Sequence, residues 1–79
     1  MSKNITIEVN LSIDKSGGAE KLPVVIEEME KTLKERYPEA QIIVRKGYFQ
    51  TIDGIAASDD NVERDVRFLL DAVRNRVLY

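Results

Sequence analysis

The chain contains no cysteine, no histidine and no tryptophan. Without cysteine there is no disulfide framework, and without cysteine and histidine the usual zinc ligands and the thiolate or imidazole groups of many catalytic sites are missing. The usual general base near neutral pH is missing as well. Carboxylate catalysis or a Mg²⁺ site stays open on composition, but no motif indicates either. We therefore expect no cofactor and no enzymatic activity.

Long apolar runs and an excess of basic residues are also absent. No segment approaches the length of about 18 apolar residues that crosses a membrane, and the N-terminus lacks the apolar core of a signal peptide. These features predict a cytoplasmic protein that does not associate with membranes. The net charge of -2 lacks the basic excess typical of dedicated nucleic-acid-binding proteins, so no direct contact with nucleic acid is expected.

The composition that remains is that of a folded protein. The chain has 79 residues, of which 43% are hydrophobic and 33% are charged. This balance is typical of globular proteins and differs from that of disordered chains. The length predicts one domain that spans residues 1–79.

Residues 4–13 show the clearest periodicity in the chain. Apolar residues occupy every second position without exception: Ile5, Ile7, Val9, Leu11 and Ile13. This alternation predicts a strand with one buried and one solvated face. Residues 14–21 then carry a glycine pair among polar residues, which predicts a flexible connecting loop. Their spacing does not match a Walker phosphate-binding loop.

Two more strands are predicted between two helices. Residues 22–37 form the first helix, with Pro23 in its first turn and Pro38 after its end. Its apolar residues share an arc of about 120°: Leu22, Val25, Ile26, Met29, Leu33 and Tyr37. Residues 41–46 and 48–57 are predicted strands, and Gly47 indicates a hairpin turn between them. Gly54 indicates a bulge or a close backbone approach.

Residues 58–79 are predicted to form the last helix. Its apolar residues fall on one stripe at 100° per residue: Val62, Val66, Leu69, Leu70, Val73 and Val77. Ser58, Asp59 or Asp60 caps the helix, and Asp60 with Glu63 has the spacing of a capping box. The order β-α-β-β-α predicts an α+β two-layer sandwich, in which a three-stranded mixed sheet carries both helices on one face.

This order of elements resembles the DinI-like family of small bacterial and phage proteins of the SOS response to DNA damage. The resemblance rests on four short runs and covers nearly the whole chain: Ile7-Glu8-Val9, Leu22-Pro23, Arg36-Tyr37-Pro38 and Ile42-Ile43-Val44-Arg45. It implies a single DinI-like domain with a non-enzymatic regulatory role. DinI binds the RecA recombinase and modulates its filament on single-stranded DNA. Some phage relatives use the domain in antirepressors.

The last helix is the binding element that the resemblance implies. In DinI this helix presents carboxylates that are proposed to mimic DNA, because a row of negative charge competes for a surface that neutralises phosphates. For this chain the resemblance implies a RecA-type partner. The implied partner-binding residues are Asp59, Asp60, Glu63, Asp65 and Asp71.

The residues themselves predict a different charge pattern on that helix. Asp60 and Glu63 each lie four residues before an arginine, and Asp71 lies between Arg67 and Arg74. Such spacings predict a ladder of ion pairs within the helix, with a summed charge of about zero. The field of such a ladder reaches little beyond about 8 Å in physiological salt.

Two further surfaces offer alternatives to a RecA-type partner. Phe68 projects away from the apolar stripe and is a candidate anchor for a generic or phage-encoded protein-interaction module with another partner. Arg45, Lys46, Tyr48 and Phe49 form a basic and aromatic cluster, which leaves a weak nucleic-acid binder as an alternative. A monomer or a weak dimer is expected in each case.

Overall fold

The computed structural model describes residues 4–79 and contains five elements in the predicted order. They are β1 (Thr6–Leu11), α1 (Leu22–Arg36), β2 (Gln41–Lys46), β3 (Gly54–Ala57) and α2 (Asp60–Leu78). The strands form one mixed sheet in the order β2-β1-β3. Both helices pack on the same face of this sheet, so the α+β two-layer prediction is confirmed.

β1 is the central strand and pairs along both of its edges. It runs parallel to β2, with Ile7 opposite Ile42 and Val9 opposite Val44. It runs antiparallel to β3, with Val9 opposite Ile55. Parallel neighbours need a long crossover, and α1 provides it.

The predicted hairpin between residues 41–46 and 48–57 is wrong. β2 and β3 lie on opposite edges of β1 and do not pair with each other. Gly47 does not turn the chain back, because its N–H donates to Leu11 O at 2.9 Å and so extends the pairing of β2 with β1. The chain then crosses the end of β1 through residues 47–53, and only Gly54–Ala57 of the predicted second strand is extended in the sheet. Gly54 begins β3 opposite Asn10 and is not a bulge.

The core lies between the sheet and the two helices. Its buried members come from three elements and match the predicted apolar stripes: Ile7, Val9, Leu11, Leu22, Val25, Met29, Leu33, Val66, Leu70 and Val73. The other predicted stripe residues are partly buried at the border of the core. The opposite face of the sheet carries Thr6, Glu8 and Asn10 of β1 and is not covered by a helix, as the alternation predicts.

Residues 14–21 form a loop, as their composition predicts, and backbone hydrogen bonds close it. Gly17 and Gly18 adopt φ values of 81° and 83°, which only glycine enters at low cost. The Gly18 N–H donates to Ile13 O at 2.9 Å, and the Asp14 N–H donates to Gln50 O at 3.0 Å. Ser16 is fully buried in this loop. No helix in the described part of the chain combines the length and the apolarity that a membrane span requires.

Candidate protein-binding surface

The N-terminal end of α2 carries the first three predicted contact residues. Asp59 is the cap, since its side chain accepts hydrogen bonds from the N–H groups of Asn61 at 2.8 Å and Val62 at 3.4 Å. Asp60 and Glu63 lie in the first turn, where negative charge interacts favourably with the helix dipole. The structure thus assigns the cap to Asp59, and the capping-box spacing of Asp60 with Glu63 is not used.

Asp65 faces α1 and not the solvent-exposed side of α2. Arg36 contacts both of its carboxylate oxygens, at 3.1 Å and 3.3 Å, and the Tyr37 hydroxyl donates to the same carboxylate. The Asp65 charge raises the pKa of the Arg36 guanidinium. Burial, together with the bond to Asp65, raises the pKa of Tyr37. Asp65 therefore joins the two helices, and we place it outside the binding surface.

Arg74 also departs from its predicted place on the polar face of α2. Its guanidinium binds both oxygens of Asp53 at 2.6 Å and 2.7 Å and reaches Ser16 Oγ at 3.0 Å. The Arg74 and Asp53 side chains are only 12% and 13% exposed. Burial alone would raise the pKa of Asp53, but hydrogen bonds from Arg74 and from the Ser12 N–H hold it below its ordinary value.

The predicted ladder of ion pairs along α2 does not form among residues 4–79. No two side chains of this helix lie within 4 Å as an ion pair. Asp65 instead binds Arg36, Arg74 binds Asp53 and Arg76 lies 3.6 Å from Glu28. These three partners belong to α1 and to the loop before β3. Among the residues of the predicted ladder, the tertiary contact accounts for Arg74, which binds Asp53 instead. Pairs along an exposed helix contribute only about 0.3–0.5 kcal/mol each, so they constrain the other side chains weakly.

The outward side of α2 consequently keeps more negative than positive charge. Four carboxylates remain there, and two guanidiniums oppose them. The carboxylates are Asp59, Asp60, Glu63 and Asp71, and the guanidiniums are Arg64 and Arg67. Phe68 lies on the same side of the helix and is 70% exposed, as its position in the sequence predicts. We call these residues the α2 outer face.

The loop at residues 47–53, called here the aromatic loop, presents a second exposed surface. Tyr48, Phe49 and Ile52 are 88%, 68% and 60% exposed. They border a shallow cavity of about 270 Å³ that reaches Asn10 on the helix-free face of the sheet. Sequence reasoning missed Ile52 and Asp53 as members of this surface, because residues 48–57 have the composition of a continuous strand.

The basic members of the predicted nucleic-acid cluster are only partly available. Arg45 binds Glu8 Oε1 at 2.8 Å and Asn10 Oδ1 at 3.0 Å across the helix-free face. Hydrogen bonding from Asn10 and the nearby Arg45 lower the pKa of Glu8. Lys46 is exposed and forms no ion pair within residues 4–79.

Among residues 4–79, no group of three or more acidic side chains converges in the way that metal ligands do. Comparisons of the chain with protein-family models, with curated proteins and with solved structures find no match.

Proposed function

We propose that this chain is a non-enzymatic binding protein that docks the α2 outer face on a basic surface of another protein. The family resemblance makes a RecA-type recombinase filament the expected partner, with a cytoplasmic role in the response to DNA damage. The observation that carries the proposal is the excess of carboxylates on the α2 outer face, because two of the helix arginines turn towards other elements.

The physical basis is electrostatic competition. A protein surface that binds DNA is arranged to neutralise phosphates, and exposed carboxylates compete for the same cations. Asp60 and Glu63 are best placed for this role, since Asp59 caps the helix and Asp65 is bound to Arg36. Charge contacts of this kind mainly raise the association rate and weaken with salt.

The test measures binding of the chain to a RecA-type filament assembled on single-stranded DNA, by biolayer interferometry at several salt concentrations. The double variant Asp60→Lys, Glu63→Lys should bind at least about tenfold more weakly at low salt, and the difference should shrink at high salt. The matched control is Glu20→Lys, Glu27→Lys, which makes the same charge change at exposed positions away from α2.

Thermal unfolding of each variant shows whether it is folded, since Asp60 and Glu63 each also contribute about 0.3–1 kcal/mol through the helix dipole. Equal binding of the α2 variant and the control would contradict the electrostatic mechanism. Absence of binding by the unmodified chain would contradict the proposal of a RecA-type partner.

A protein-interaction module with a partner other than RecA is the second candidate function. The exposure of Phe68 favours it, because aromatic side chains, Phe included, are enriched in the buried centres of protein interfaces. Phe68→Ser should elute later than the unmodified chain in size-exclusion chromatography at high concentration if Phe68 anchors a dimer. Identical elution volumes would exclude self-association through Phe68.

A further inference from the structure

The charged residues of the chain are distributed unevenly between its two layers. Most carboxylates lie on the helices or on the loops beside them, and α1 and α2 together contain eight of them. On the helix-free sheet face and the aromatic loop the carboxylates are Glu8 and Asp53, and each forms an ion pair with an arginine. Arg45 and Lys46 match these two carboxylates in number, so the sheet side carries no net negative charge although the chain has a net charge of -2.

The aromatic loop is held in a defined position beside this sheet face. Asp53 at its end binds Arg74 and the Ser12 N–H, and Gln50 O accepts from the Asp14 N–H and from the Ser12 hydroxyl. Gly47 at its start lies so close to β1 that an added Cβ would meet Leu11 O at 3.3 Å. Rigid anchoring at both ends lowers the entropic cost of presenting exposed rings to a ligand.

We propose that the helix-free sheet face and the aromatic loop form a binding platform for single-stranded nucleic acid. Unstacked bases would lie on the rings of Tyr48 and Phe49, and phosphates would contact Arg45 and Lys46. Exposed aromatic rings beside a cation can hold unpaired bases, since every base has a face that can stack on an aromatic side chain. Asn10 and Thr6 supply polar groups on the same sheet face.

The charge pattern favours this ligand over a lipid surface. Stable membrane contact of an apolar loop requires a cluster of basic residues around it. Here Lys46 and Lys15 lie beside the loop, together with Asp14. We therefore expect the platform to bind single-stranded nucleic acid weakly, mainly through stacking and with few phosphate contacts.

The salt dependence of binding follows from that count of cations. Each neutralised phosphate of a single strand contributes a slope of about −0.7 in a plot of log K against log salt. With Arg45 and Lys46 as the two phosphate contacts, the slope should be no steeper than about −1.4. Arg45 would exchange Glu8 for a phosphate, which costs little because exposed ion pairs are weak.

The experiment measures fluorescence anisotropy of a labelled oligothymidine at low salt, with a duplex of the same length as a second probe. Phe49→Ala should weaken binding to the single strand about fivefold or more, as loss of one base stack does. The matched control is Phe68→Ala, because Phe68 is equally exposed but lies on the α2 outer face, in the other layer of the fold. Lys46→Gln should make the salt slope less steep by about 0.7, and Lys34→Gln should leave the slope unchanged.

Three outcomes would overturn the proposal. They are absence of binding at low salt, equal loss of binding in Phe49→Ala and Phe68→Ala, and tighter binding of the duplex than of the single strand. A loop that instead binds lipid would sediment with anionic vesicles and give no anisotropy change with the oligonucleotide. Nucleic-acid binding by the platform does not involve Asp60 or Glu63. A negative result in this experiment would therefore not contradict the proposed function.

Discussion

The ion pair between Arg74 and Asp53 should contribute a large part of the stability of this domain. It ties the C-terminal half of α2 to the loop before β3, with both side chains nearly buried. Substitution Arg74→Met keeps much of the aliphatic packing but leaves the Asp53 carboxylate buried with only the Ser12 N–H as a donor. Removing one partner of a buried pair costs about 3–5 kcal/mol.

The expected loss is somewhat smaller than that range because the pair keeps some exposure and Asp53 keeps one hydrogen bond. We expect the free energy of unfolding to fall by about 2–4 kcal/mol. For a domain of this size, such a loss lowers Tm by roughly 10–25 °C. Urea unfolding followed by circular dichroism at pH 7 measures it, with Arg67→Met as the control because Arg67 is an exposed arginine of the same helix.

The pH dependence provides a second measurement of the same pair. The pKa of Asp53 is lower in the folded state than its ordinary value of about 3.9. The unfolded chain therefore binds more protons around and below pH 4, and the contribution of Asp53 to stability is present above that pH and lost as the pH falls through the folded pKa. In Arg74→Met burial raises the pKa of Asp53, so the difference in stability between the unmodified chain and the variant should shrink as the pH falls from that raised pKa to the lowered pKa of the unmodified chain.

Two results would refute this reasoning. The first is a loss in Arg74→Met of less than about 1 kcal/mol, or no greater than that in Arg67→Met. The second is a difference that stays constant from pH 7 to pH 3. The double variant Asp53→Asn, Arg74→Met should be more stable than the sum of its single changes predicts, because it contains no unpaired carboxylate.

Three further substitutions test other contacts of the fold. Asp59→Ala should lower the free energy of unfolding by about 1 kcal/mol through loss of the α2 cap, while Asp59→Ser should retain most of it; equal losses would contradict the cap. Tyr37→Phe should lower the free energy of unfolding by about 1 kcal/mol, because it removes the hydroxyl that donates to Asp65; thermal unfolding measures this. Burial raises the pKa of Tyr37 in the folded state, so the unmodified chain loses stability above about pH 10, and this loss should be smaller in Tyr37→Phe. Met29→Ala should cost about 2–5 kcal/mol in urea unfolding because Met29 is fully buried, whereas Val24→Ala at an exposed site of the same helix should change stability by less than about 0.5 kcal/mol.

The buried apolar residues of this protein could be predicted from its sequence, whereas the burial of Ser12 and Ser16 could not. The alternation in β1 and the apolar stripes of both helices correspond to the core, because burial of apolar side chains imposes the periods of strand and helix directly on the sequence. The exposure of Phe68 follows from the same helical period. The number and order of elements then follow from where these patterns begin and end.

The pairing of the strands could not be predicted from local pattern. A glycine after a β-branched run looks like a hairpin turn, but Gly47 belongs to the pairing of β2 with β1 and the chain continues across the sheet. Which strands become neighbours depends on how the two helices cover the sheet and on the crossover that α1 makes. Those are contacts between segments that are distant in the chain, so the local sequence of residues 46–48 does not predict them.

The candidate site shows the same division between local and tertiary causes. The sequence places Asp60, Glu63, Phe68 and Asp71 on the polar side of the last helix, because their helical angles alone determine that position. Only the tertiary structure decides which charges stay available, since Asp65 is bound by Arg36 and Arg74 by Asp53. Burial of apolar side chains produces a periodic pattern within each element, and this pattern is visible in the local sequence. Each of these two ion pairs depends instead on a partner 29 or 21 residues away in the chain.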